Sequence, residues 1–157
     1  MKLAFETEEN FADLIPFLKT MALEIPNNKK VWSAFLKWSS LLDWIGCYAL
    51  SYGTSPLVRV LDIDEPYSRY SNGHFDPANP VYINVNWSYA VNVNGALRDG
   101  RTPTIENAKM LESLLLHELC HWGRWFNNVK DGQFEFGDSG DMFKREAYKD
   151  PLRPHLG

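Results

Sequence analysis

Residues 105–126 read IENAKMLESLLLHELCHWGRWF, and their periodicity organises the rest of the chain. Ala108, Leu111, Leu115, Leu119 and Trp122 recur at spacings of three and four, which marks one apolar helical face. Thr102-Pro103-Thr104 stand before the run and supply a threonine cap and a proline for the first helical position. The spacing predicts a helix over 105–126. His117 and His121 fall four apart on the border of the apolar stripe, so their imidazoles project from one side, one turn above the other. That border is where core meets cleft.

Upstream, Phe11, Leu14, Leu18 and Met21 predict an amphipathic first helix bent or restarted near Pro16. Val31, Phe35, Trp38, Leu42, Ile45 and Ala49 repeat at 4-3-4-3-4, which predicts one long helix over 28–50 with an aromatic-rich packed stripe. Residues 57–63 (LVRVLDI) are β-branched and apolar, a predicted strand. Residues 64–80 carry Pro66, Asn72-Gly73, Asp76-Pro77 and Asn79-Pro80 and predict a long surface connection. In 81–87 Ile83, Val85 and Trp87 alternate with Tyr82, Asn84 and Asn86, as in a strand with one wet face. Asn94-Gly95 and Asp99-Gly100 predict turns before the long helix. After Phe126 a turn-rich stretch, 127–140, leads to a short helix capped by Asp141 or Ser139 and running through Lys149, with Asp150-Pro151 as its stop.

With 157 residues and no linker or repeat, the chain is expected to be one domain, 1–157. Aromatic content of 14% with six tryptophans implies a thick core or a lined cleft. A net charge of −4 with no basic run argues against nucleic acid as a partner. No window approaches a membrane span, and the start, MKLAFE, turns acidic where a signal peptide would stay apolar. The chain as given is not expected to export itself. Cys47 and Cys120 fall in separate predicted helices and read as reduced core residues.

His117-Glu118-Leu119-Cys120-His121 is an H-E-x-x-H string, the arrangement of a zinc peptidase. The two imidazoles would share one Zn2+ ion, while Glu118 holds and deprotonates the attacking water. A catalytic zinc needs a third protein ligand and an open fourth position. Glu146 is the expected ligand, because it shares a helix face with Phe143 and Ala147 and a buried carboxylate needs a partner. Asp138, Asp141 and Glu135 compete for that role, or for fixing a histidine tautomer. Metzincins continue the motif to a third histidine, but Gly123 comes one residue early and Asn127 stands in that histidine's place. The aspzincin pattern, with a downstream aspartate, is only loosely echoed by Gly137-Asp138-Ser139-Gly140-Asp141. For the oxyanion, Tyr148 and His74 are candidates by chemistry alone, and His155 in the Pro-rich tail receives no role. An extended peptide or protein substrate would pair with the strand Tyr82–Trp87 beside the motif helix.

The strings LLHELCHW (115–122) and GDMFKREAY (140–148) resemble the metallopeptidase toxin domains of bacterial polymorphic toxins, including those fused to type VI secretion spike proteins of the VgrG class. The similarity covers about the C-terminal third. It implies zinc on His117, His121 and Glu146, and Glu118 as the base. It also implies a secretion-spike carrier, delivery from the cytoplasm where the chain is made into the periplasm or cytoplasm of a target cell, and a cognate immunity protein. The fold class expected is α+β, zincin-like and gluzincin-like in its ligands, mainly helical with a small sheet beside the H-E-x-x-H helix. Two rival readings share the metal: a non-catalytic zinc-stabilised peptide-binding module, and a peptidoglycan-directed amidase or endopeptidase. A base beside an open coordination position is useless to the first.

Overall fold

The computed structural model describes residues 1–61, 73–135 and 137–149. The architecture is mainly helical α+β with a four-stranded sheet. In chain order the elements are β1 (Lys2–Leu3), α1 (Phe5–Phe11), α2 (Leu14–Glu24), a 3-10 turn (Ile25–Asn27), α3 (Lys29–Ser39), α4 (Asp43–Leu50) and β2 (Leu57–Leu61). There follow β3 (Gly73–Phe75), β4 (Tyr82–Asn86), α5 (Trp87–Arg98), α6 (Ile105–Phe126) and α7 (Ser139–Tyr148).

The first helix restarts at Ala12-Asp13, so Pro16 sits in the first turn of α2, where its missing N–H forfeits no helical bond. The expected long helix over 28–50 is two helices. Ser40 adopts a left-handed conformation (φ 59°), and the end of α6 docks there: Asn127 Nδ2 donates to Ser40 O (2.5 Å) and Arg124 Nη1 to Ser40 Oγ (3.2 Å). Long-range hydrogen bonds thus reward a break that the 4-3-4 spacing hides. Leu42 and Trp44 are left exposed, while Val31, Phe35, Ile45 and Ala49 stay in the core.

The sheet order is β1-β2-β4-β3. β1 and β4 flank β2 in parallel, and β3 pairs antiparallel with β4, setting His74 against Asn84 and Phe75 against Ile83. The 81–87 strand, expected at the cleft edge, is therefore interior, with both its sides paired. Among the described strands the edge beyond β4 is β3, inside what composition marked as loop. Trp87 leaves the strand to open α5, capped by Asn86, whose side chain accepts from Ser88 N (3.0 Å). Asn94-Gly95 lies inside α5 rather than at a turn, because Ala90, Val93 and Asn94 are buried and packing outweighs the cost of a helical glycine. The expectations for residues 62–63 and 64–72, Asp150-Pro151 and His155 fall outside the described residues.

The predicted motif helix and α6 coincide. Thr104 Oγ1 accepts from Asn107 N, so Pro103 stands before the cap rather than at the first helical position. Leu111, Leu115, Leu116, Leu119 and Cys120 are buried, and α7 packs in the angle between α6 and α3 with Phe143 edge-on to Phe35 (6.3 Å between centroids). Cys47 and Cys120 are both free thiols. Among the described residues no helix is long and apolar enough to cross a membrane.

Candidate metal centre

One turn of helix brings His117 Nε2 and His121 Nε2 to 3.2 Å of each other on the floor of a cleft of about 600 Å3. Each imidazole has a carboxylate behind it. Asp131 Oδ2 makes a short hydrogen bond to His121 Nδ1, and Ser139 Oγ (3.1 Å) and Arg124 Nε (3.5 Å) steady that aspartate. Asp141 Oδ1 lies 3.8 Å from His117 Nδ1. The Asp131 carboxylate on His121 Nδ1 leaves that ring's Nε2 to face the cleft, the tautomer a metal ligand needs.

In front of the pair stands Asp138, which caps α7 through Asp141 N (2.9 Å). Its Oδ1 is 3.8 Å from His117 Nε2 and its Oδ2 is 3.5 Å from His121 Nε2. Glu118 lies beneath, Oε1 3.9 Å from His117 Nε2, buried at 2% exposure. Close approach of β3 makes room for it: a Cβ on Gly73 would come 2.7 Å from Glu118 Oε1.

Two imidazole nitrogens 3.2 Å apart repel unless a proton or a cation lies between them. Nitrogens bound at about 2.0–2.1 Å to one tetrahedral ion stand about 3.3 Å apart, so the pair fits a zinc-sized cation as it is. Among the described residues two groups of side chains could hold a metal, and both contain His117: His117, Glu118 and His121 form one, and His117, Asp138 and Asp141 the other.

A family described as metallopeptidase toxin 3 matches residues 7–149. The chain belongs to that family. No curated protein and no solved structure matches it. Membership in a metallopeptidase toxin family implies a metal cofactor and a peptide or protein substrate, and the family match reaches well beyond the two motif strings, into the helices before the sheet.

The electrostatics of this toxin-family site follow from burial. Burial pushes His117 down to about 3, which keeps it neutral and free to donate a lone pair. At His121 burial also pulls downward, but the Asp131 hydrogen bond and the charges of Glu118 and Asp138 outweigh it and raise the group to about 9. Burial lifts Glu118 to about 8. Without a cation the centre therefore stores protons.

Glu146, the expected third ligand, is not brought to the histidines. Its Oε2 accepts from Lys37 Nζ (2.7 Å) and Trp38 Nε1 (2.8 Å) of α3, and the Lys37 bond holds its carboxyl below the usual range. The reason lies in how α7 docks. Its first residues meet the histidine face of α6, and eight residues further on, about 12 Å along the axis, the chain has passed the site. Phe143 and Ala147 face the core, while Glu146 turns to the flank beside α3. Tyr148 is also elsewhere: its hydroxyl donates to Glu112 Oε1 (2.6 Å) and its ring packs edge-on to Phe143. His74 does line the cleft, on β3, where burial lowers its pKa, and its carbonyl accepts from Asn84 Nδ2. Glu135 is exposed.

Sequence reasoning does not find Asp131, since a lone aspartate in the irregular segment after α6 carries no periodic signal. The cap expected at Asp141 or Ser139 is instead Asp138, three residues before Asp141, from whose N–H it accepts. Gly140 also escapes sequence reasoning. A Cβ there would lie 2.4 Å from the His117 ring, so the glycine lets α7 back directly onto the imidazole. Gly140→Ala is expected to displace His117, lower metal affinity and cost about 1–3 kcal/mol of stability. Calorimetric zinc titration and thermal melts check both effects.

Proposed function

We propose that residues 1–157 form a zinc-dependent endopeptidase domain of a toxin effector, in which His117, His121 and Asp138 hold the ion and Glu118 is the general base. The observation that carries this reading is a buried carboxylate beneath two convergent imidazole nitrogens beside β3, the edge strand among the described residues. A structural zinc site has no use for such a group, and burying it costs stability. An aspartate as third ligand takes the place of the gluzincin-like glutamate, because Glu146 would have to leave both Lys37 and Trp38 to serve. Zinc suits two imidazoles, one carboxylate and an open position. The zincin-like reading is supported by the antiparallel edge strand β3 running beside the motif helix.

A divalent cation held there supplies Lewis-acid polarisation of the attacking water and the scissile carbonyl. The β3 backbone aligns an extended peptide over the histidine pair. Glu118 takes a proton from water, the oxygen attacks the carbonyl carbon, and as the C–N bond breaks Glu118 returns that proton to the leaving amine. Asp131 keeps the His121 imidazole turned toward the cleft, and Gly140 lets α7 pack against the His117 ring. Tyr148, bound to Glu112, is given no part. As a toxin, the domain would reach a rival or host cell on a secretion-spike carrier, act in its periplasm or cytoplasm, and be neutralised in the producer by an immunity protein. Incubating the zinc-loaded chain with unfolded proteins and with cell-wall fragments tests the reaction class: cleavage of the proteins is expected, and cleavage of wall fragments alone would make it an amidase.

The stored protons give a pH signature. In the folded, metal-free chain His121 titrates at about 9 and Glu118 at about 8, above their ordinary 6.5 and 4.5. A folded state that binds protons more tightly than the unfolded one loses stability as pH rises through that interval. Metal-free stability is thus expected to fall between pH 6.5 and 9. Zinc competes with the His121 proton and favours ionised Glu118, so its stabilising effect grows over the same window. Melting curves with and without zinc should separate further as pH rises; curves that converge would contradict the assignment of His121 as a ligand.

A further inference from the structure

His117 and His121 belong to a row on α6 whose next member, four residues on, is Trp125. Its ring stays 42% exposed and, with Val129, Pro77 and the buried Phe75, walls the end of the cleft beyond the histidines. The Phe75 and Trp125 rings stand 6.2 Å apart between centroids. Val129 is not on a loose loop. Asn128 takes a left-handed conformation (φ 54°), its N–H bonds Trp125 O (2.9 Å), and Val129 N–H reaches back to Arg124 O (2.8 Å). That closure of the helix end folds the following apolar residue back against the last turn.

β3 runs alongside. Gly73 faces Glu118, and two residues later Phe75 faces Trp125. A peptide laid along this edge advances about 3.4 Å per residue and turns alternate side chains to the same face. With one residue over Glu118, the second residue along therefore directs its side chain at Phe75, Trp125 and Val129. Resting on the peptidase reading above, we propose that this end of the cleft is a side-chain subsite selecting substrates with a large apolar residue, aromatic or aliphatic, within two residues of the bond cleaved. An apolar occupant completes the burial that Trp125 and Val129 lack, whereas a charged or small one leaves them wet. Such a pocket discriminates by roughly ten- to a hundredfold in kcat/KM.

The test is a denatured proteome digest treated with the zinc-loaded chain, with the new termini mapped by mass spectrometry. One position within two residues of the cut should be enriched in Phe, Tyr, Trp, Leu, Ile or Met. Trp125→Ala should flatten that preference to within about threefold, and Val129→Arg should shift it toward acidic residues. Zinc content and circular dichroism of both variants report that the fold is retained. Cleavage with a flat profile, or an unchanged profile in both variants, overturns the subsite and leaves the peptidase standing. No cleavage of any peptide by the zinc-bound chain removes the peptidase reading and the subsite with it.

Discussion

Glu118→Ala is expected to keep its full complement of zinc while peptide turnover falls by roughly three to four orders of magnitude. The carboxylate lies 3.9 Å from the nearer Nε2 and reaches the cleft floor only because Gly73 leaves it space. In the proposed mechanism it acts on the water rather than the ion, so its removal should strike kcat and spare binding. Glu118→Gln refines the point, since the amide fills the same volume but accepts no proton at neutral pH. The metal-free amide variant should be more stable than the native chain at pH 7, by about 1–3 kcal/mol, because it removes a carboxylate whose ionisation burial opposes. Thermal melts, metal analysis and steady-state kinetics on the same preparations separate these effects. If turnover in Glu118→Ala matched the native chain, the chemistry would have to run without this base; if zinc were lost, Glu118 would be a ligand.

Asp138→Ala is expected to weaken zinc binding by roughly a hundredfold or more, since it removes one of the three proposed protein ligands. The substitution also removes the α7 cap, worth about 1 kcal/mol. Asp138→Ser separates the two roles, for serine restores the cap without restoring a carboxylate, and its zinc affinity should stay low while its stability recovers. Glu146→Ala is the matched control. That residue is half-exposed on Lys37 and Trp38, so its loss should leave zinc affinity unchanged and cost no more than about 1 kcal/mol. Zinc titration by calorimetry reads all three variants. The reverse pattern, with Asp138→Ala harmless and Glu146→Ala unable to bind, would restore the sequence expectation and require α7 to dock differently in the loaded chain.

The features legible in the amino-acid order are local ones. The boundaries of α6 follow from the Thr104 cap and a 3.6-residue period, and the His117/His121 pair follows from helical pitch alone. The illegible ones depend on distant contacts. Ser40 breaks a well-formed apolar repeat because Arg124 and Asn127, more than eighty residues away, bond to it. The edge strand Gly73–Phe75 is three residues long among turn-forming neighbours, too short to show alternation. Periodicity places Glu146 beside Phe143 and Ala147 but cannot tell which end of α7 touches α6, and that end decides which carboxylate lies beside the histidines. The cap of α7, expected at Asp141 or Ser139, falls at Asp138, whose other oxygen reaches the histidines only when the helix is docked.

The most direct test of the centre is a crystal structure of the zinc-loaded chain with anomalous data at the zinc edge. One ion is predicted on Nε2 of His117, Nε2 of His121 and a carboxylate oxygen of Asp138, with Glu118 beside it and Glu146 still bonded to Lys37 and Trp38. Zinc on Glu146, or zinc away from the histidine pair, would contradict the account.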